Sequence, residues 1–167
     1  MDALETIKTR RSVRVFLDRP VEREVLREIV DCARLAPSSN NQQPWEFVVV
    51  TDAAVRTKIA ELATYGKFVK NAPACVAVFC KPTGGYVEDG SAATENLILG
   101  AWALGVSSCW IAGHQTRYAE PIRALLKVPE GYKLISLVAL GYSEKRPTVR
   151  KRPLGSVLHW EMFGERD

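Results

Sequence analysis

The 167-residue chain reads as an α+β protein. Four short apolar runs, closed by Gly, Pro or polar residues, read as buried strands. Between them lie segments whose apolar residues recur at helical spacing. The two kinds alternate without clean βαβ units, which favours an α+β layer over a doubly wound sheet.

Leu4, Ile7 and Lys8 make a short first helix ahead of a group of arginines. Arg19-Pro20 interrupts the chain, and Val25, Leu26, Ile29, Val30 and Ala33 then recur at helical spacing until Pro37. Glu46 to Thr51 is the first strand, and Asp52 is placed to cap the helix that carries Ile59, Leu62 and Ala63. Ala72-Pro73 closes an irregular stretch before the second strand, Cys75 to Cys80. After the turn Pro82-Thr83-Gly84-Gly85, Ala92 to Leu104 is an almost wholly apolar helix, interrupted near Glu95 and Asn96 and stopped by Gly105. Apolar on most sides, it belongs in a core or a subunit interface. Val106 to Ile111 is the third strand, Tyr118 to Leu126 a helix, and Leu134 to Leu140 the fourth strand. From Ser143 the chain turns irregular and basic and ends in Val157-Leu158-His159-Trp160-Glu161. That tail is too short for a core of its own and must pack on this domain or on a second copy. The organisation expected is therefore one domain, 1–167, with about 143–167 as a tail.

An apolar fraction of 47% with 25% charged residues is that of an ordinary globular protein. The net charge of +4 is modest, and its basic residues gather at two spots, Arg10 to Arg14 and Arg150 to Arg152. Nucleic-acid binding wants a continuous basic face with groove-reading elements, so none is expected. Cys32, Cys75, Cys80 and Cys109 show no metal-ligand spacing and read as buried, reduced thiols, with no metal site. The N-terminus lacks a basic region followed by an apolar core, and no apolar run is long enough to span a bilayer, so a cytoplasmic location is expected.

Two segments carry the chemistry. Arg10-Arg11-Ser12-Val13-Arg14 puts three guanidinium groups and a hydroxyl within five residues, a set suited to a phosphate. Ala36-Pro37-Ser38-Ser39-Asn40-Asn41-Gln42-Gln43-Pro44-Trp45 is a dense run of amides and hydroxyls leading into a strand. A core loop has little use for so many polar groups, because each needs a partner when buried. Together they suggest a polar, phosphorylated, planar ligand.

These segments resemble the nitroreductase family of flavin mononucleotide (FMN) enzymes. The resemblance runs from about Leu4 to Trp160. It rests on Arg10 to Phe16, on Ala36 to Trp45, on Ala72-Pro73, and on Glu95-Asn96-Leu97-Ile98-Leu99-Gly100-Ala101 through Leu104-Gly105-Val106. It continues in Cys109-Trp110-Ile111-Ala112-Gly113 and Arg150-Lys151-Arg152-Pro153-Leu154. The resemblance implies a central, mostly antiparallel sheet flanked by helices, in an intertwined homodimer with FMN at the subunit interface. The apolar helix would line the dimer core and the tail would embrace the partner.

By the same resemblance, Arg10, Arg11 and Ser12 grip the phosphate, and Arg150 and Arg152 close on it from the tail. Arg14 points to the pyrimidine end of the flavin, where a cation favours the reduced state; the plain alternative is an ion pair with Asp18 or Glu22. Pro37, Ser38, Ser39 and Asn41 reach the other subunit's flavin, against the alternative of a helix end followed by an N-cap. The backbone at Ala112 and Gly113 faces flavin N5, and His114 follows as a candidate proton source, although hydride transfer to flavin needs no side-chain acid. Trp45, Trp110 and Trp160 read as packing, and Glu95 and Asn96 as satisfying each other or backbone. Relatives carry a flavin-bonding amide near Tyr65-Gly66; here Lys67 or Asn71 would substitute. The activity implied is hydride transfer from NADH or NADPH through FMN to a nitroaromatic, quinone or similar flat acceptor, by a ping-pong mechanism. A specialised flavin task, such as dehalogenation or azoline oxidation, and a flavin-binding module without turnover are the alternatives.

Overall fold

The computed structural model describes residues 2–166. In chain order it contains α1 (Ala3–Thr9), α2 (Arg23–Arg34), β1 (Trp45–Val50), α3 (Ala53–Leu62), β2 (Ala74–Cys80), α4 (Tyr86–Ala103), β3 (Ser107–Ala112), α5 (Ala119–Leu125) and β4 (Lys133–Gly141). Short 3-10 turns occupy Ser39–Asn41, Lys67–Asn71 and Leu154–Ser156.

The four strands form one sheet in the order β1-β2-β4-β3, antiparallel throughout. β2 pairs Val50 with Cys75 on one side and Val76 with Val138 on the other. Both central strands are buried on both faces, which is why they read as almost wholly apolar runs, with Ser136 the one polar residue inside them. Helices α2 and α4 cover one face around Leu26, Ile29, Val76, Leu97 and Val138. Helices α3 and α5 cover the other around Ile59, Phe79, Ile122 and Leu137. The α+β class and the four strands thus match the sequence reading within a residue or two.

One helix begins earlier than its apolar pattern. α4 starts at Tyr86 rather than Ala92, directly after Gly85 at φ +81°. Its first turns, Val87-Glu88-Asp89-Gly90-Ser91, are mostly polar and carry no hydrophobic period. Acidic Glu88 and Asp89 suit the positive end of the helix. Gly100 lets α4 approach α2 closely, since a Cβ there would lie 2.8 Å from Cys32 Cβ. Asp52 caps α3 as expected, its Oδ1 accepting the Val55 N–H at 2.9 Å.

Candidate active site

The segment after α1 is fixed by its one buried residue. Val13 is fully buried, and its N–H donates to the Ser108 carbonyl at 2.8 Å on the outer edge of β3. Ser12 and Ser108 form a parallel bridge there. In extended chain alternate side chains face opposite ways, so Val13 inward turns Ser12 and Arg14 outward. α1 is held to α4 by Trp102, whose Nε1–H donates to Thr9 Oγ1 at 3.0 Å. Arg10 follows directly and lies 3.9 Å from Glu95 of α4. Glu95 therefore faces Arg10 rather than Asn96, whose amide donates to the Cys32 carbonyl at 3.2 Å.

The three arginines of this segment are used differently. Arg11 turns back and its Nη1 donates to the carbonyls of Lys8 at 2.9 Å and Arg10 at 2.7 Å. It caps the end of α1, unlike the phosphate role expected of it. Arg14 is exposed, its guanidinium 5.9 Å from the centre of the Phe68 ring. It pairs with neither Asp18 nor Glu22: Glu22 accepts from the Tyr142 hydroxyl at 2.7 Å and lies 3.6 Å from Arg19. Those contacts lower the Glu22 carboxyl, the tyrosine hydrogen bond most of all. Ser12 and Arg14 line a cavity of about 330 Å³ together with Lys145, Arg146 and Pro147. Sequence reasoning missed Lys145 and Arg146, although they belong to the same basic tail.

At the far end of β3 the backbone is divided. Gly113 N–H donates to the Ile135 carbonyl at 3.0 Å, and His114 N–H to the same oxygen at 3.2 Å. The Gly113 amide is therefore engaged in the sheet, contrary to the expectation that it faces a ligand. Hydrogen bonding in an antiparallel ladder alternates; with Gly113 bonded to β4 and Ser108 bonded to the Ser12 segment, Ala112 turns its N–H to the open edge. The Ala112 carbonyl accepts from the Tyr118 hydroxyl. Gly113 itself must be glycine, because a Cβ would lie 2.6 Å from Leu134 Cγ and 3.0 Å from the Ile135 backbone. His114 meets Tyr86 edge to face, ring centres 5.8 Å apart.

The polar loop after α2 is strained. Asn40, Asn41 and Gln43 have φ of 50°, 55° and 48°, a region that costs side-chain-bearing residues energy. Ser38 Oγ accepts the Gln43 N–H at 3.0 Å and makes no capping bond, so the N-cap alternative is not what forms. Asn41 accepts from Gln43 Nε2 through its Oδ1 at 3.0 Å. Ser39 N–H donates to Asp89 Oδ1 at 2.9 Å, tying the loop to α4. Pro37, Ser39 and Asn41 are exposed.

The remaining candidates stand apart. Arg152 Nη2 donates to the Ser156 carbonyl at 2.7 Å within its own turn, and Arg150 is exposed. Lys67 Nζ donates to the Glu61 carbonyl at 2.9 Å, while Asn71 lines a different cavity with Phe16 and Arg56. Trp45 is buried and Trp110 packs against the same core, but Trp160 is half-exposed. Cys75 and Cys80 are buried thiols pushed up to about 12 by desolvation. Among the described residues no group of His, Cys, Asp or Glu could hold a metal, and no helix is long and apolar enough to cross a membrane.

The family model described as the nitroreductase family matches residues 7–84 and 87–142. The chain belongs to the nitroreductase family. The matched span ends short of Arg150 and Arg152. A nitroreductase-family protein of Methanothermobacter thermautotrophicus, provisionally named an NADH dehydrogenase/NAD(P)H nitroreductase, is 38% identical over 156 residues, covering 90% of this chain and 82% of its own. The solved FMN-dependent nitroreductase of Clostridium difficile superposes with a TM-score of 0.89 at 32% identity, covering 96% of this chain and 99% of that one. The NADPH-flavin oxidoreductase of Vibrio harveyi is 26% identical, covering 98% of this chain and 75% of its own.

Proposed function

We propose that this nitroreductase-family chain is an FMN-dependent oxidoreductase that uses NADH or NADPH to reduce nitroaromatics, quinones or similar flat electrophiles. The relatives whose names carry FMN and NAD(P)H chemistry support that reading. The observation that carries it to this chain is the outer edge of β3. At one end Ser12 is bridged to Ser108, beside Arg10 and Arg14; at the other the Ala112 N–H faces outward. Four residues of strand separate them, about 13 Å at 3.3 Å per residue, enough for a phosphate at one end and a ring system at the other.

The donor set fits FMN. Arg10 and Ser12 would hold the phosphate through charge-assisted hydrogen bonds. Arg14 would stand beside the ring as a fixed cation, and the Ala112 amide would orient the ring against the strand. Bound FMN would supply the redox chemistry, taking hydride from the nicotinamide and passing it to an acceptor that occupies the same place in turn. The protein's part is binding, orientation and electrostatics. Pro37, Ser38, Ser39 and Asn41 line none of the cavity beside Ser12 and Arg14, which suits a loop that serves the partner's flavin in a homodimer.

Exposed apolar groups support that dimer. Leu4 and Ile7 of α1, Leu104 after α4, and Leu154, Trp160, Met162 and Phe163 of the tail are all open to solvent, Phe163 at 91%. A second copy would cover them, and the tail would bring Arg150 and Arg152 to the phosphate. Unpaired thiols suit a reducing cytoplasm. The test is to reconstitute the purified protein with FMN, then mix it anaerobically with NADH or NADPH. Bleaching of the flavin absorbance by at least one donor is expected; flavin that stays oxidised under excess of both defeats the reductase reading.

A further inference from the structure

We propose that Asp89 is the positioning residue of the ligand-facing loop: its carboxylate, planted in the first turns of α4, clamps the Ser39 N–H and holds the strained 37–43 segment in its working shape. The inference rests on the flavin reading of that loop and adds a residue outside the recognised segments.

Asp89 is 5% exposed, and it lies on a helix that covers the sheet, where a carboxylate needs a reason. Oδ1 accepts the Ser39 N–H at 2.9 Å across fifty residues of sequence. Oδ2 is buried and has no partner. A side chain kept only for stability would not leave one oxygen desolvated and unbonded, since an apolar replacement of similar size would remove that cost. The neighbourhood is shaped around the contact. A Cβ on Gly85 would lie 2.6 Å from Ser39 Oγ and 4.0 Å from Asp89 Oδ1, so Gly85 makes room for the serine beside the acid. The loop it holds has left-handed φ at Asn40, Asn41 and Gln43. Three such residues persist only when something outside the loop determines its path. Ser38, extended at φ −143° and ψ 156°, delivers the Ser39 N–H to that anchor.

The test separates stability from positioning, because the two predict opposite signs. Asp89→Leu should leave the denaturant midpoint unchanged or raised, abolish hydrogen-exchange protection at the Ser39 amide of the apoprotein, and weaken FMN binding about tenfold. Asp89→Asn keeps an acceptor and should restore both amide protection and affinity to within about threefold of the parent. Ser39→Pro removes the donor at a position whose preceding residue is already extended, as proline requires. Its affinity loss beyond that of Ser39→Ala should vanish in the Asp89→Leu background. Unchanged FMN affinity in Asp89→Leu with the amide deprotected overturns the inference, as does an Asn variant no better than the Leu variant. Should Asp89→Leu fail to fold, the comparison of Ser39→Pro with Ser39→Ala decides by itself, equal affinities overturning the clamp. A parent protein that takes no flavin defeats the flavin reading instead, and the Ser39 amide exchange then decides the clamp alone.

Discussion

Two basic clusters sit near opposite ends of this chain and are used unequally. Arg10 to Arg14 is stitched into the body: Val13 is buried, Ser12 is bridged to β3, and Trp102 holds the helix before it. Arg150 to Arg152 is exposed, and Arg152 bonds only to its own turn. The backbone of the first cluster is fixed by the body, so a ligand there would have only side chains left to order. The second lies in the exposed tail, outside both core clusters. The N-terminal cluster is thus anchored by contacts within its own chain, and the tail cluster is not.

The widest break in that comparison is removal of residues 147–167. The truncated protein should sediment as a monomer and come off a column without flavin, while its four-stranded body stays folded by circular dichroism. A truncated chain that remains a yellow dimer would show the tail to be dispensable.

Next in size is the contrast between single arginines. Charge-assisted hydrogen bonds are worth about 1.5–3 kcal/mol, so Arg10→Ala should weaken FMN binding by tenfold to a hundredfold in fluorescence titration. Arg152→Ala, on the cluster without a scaffold, should cost tenfold or less. Equal losses would mean that the tail is as well ordered as the N-terminal segment.

Gly113→Ala probes the body's side alone. Its Cβ would meet Leu134 and the Ile135 backbone, an overpacking that costs about 1–3 kcal/mol of stability in urea unfolding. Oligomeric state should not change.

The smallest effect appears only in alkali. Cys75 and Cys80 on central β2 are held up at about 12 from an ordinary 9.0. The unfolded thiols release their protons near pH 9 while the folded ones keep theirs, so the stability they contribute is full below pH 9 and lost as pH rises toward 12. At pH 10 each should cost the body about 1 kcal/mol relative to pH 8, from one unit beyond the unfolded value. In native protein half-buried Cys32 should be alkylated before either.

Much of this architecture was readable from residues alone, for physical reasons. The strands announced themselves because β2 and β4 are buried on both faces and so are almost wholly apolar, Ser136 being the one polar residue inside either run. The start of α4 did not, because Glu88, Asp89 and Gly90 break the apolar period that signals a helix. Ser12 and Arg14 were separable from Arg11 only once Val13 was known to be buried, which sets the phase of the extended segment. Arg11 instead follows the geometry of a helix end, which a run of arginines conceals. Between Ala112 and Gly113 the deciding fact is ladder alternation, fixed by a neighbouring strand. The Asp89 contact lay beyond any local pattern, since its partner Ser39 is distant in sequence and donates through backbone.

The sheet order has a consequence for how the protein is made. Within the sheet β3 has one neighbour, β4, which is synthesised later, and Ser12 docks on β3 from more than half the chain away. Long-range closures of this kind are slow relative to local helix formation. On the ribosome the Ser12 segment has no edge to dock on until β3 has been made and β4 has followed to complete the sheet, so its placement is a late act of folding rather than a nucleus.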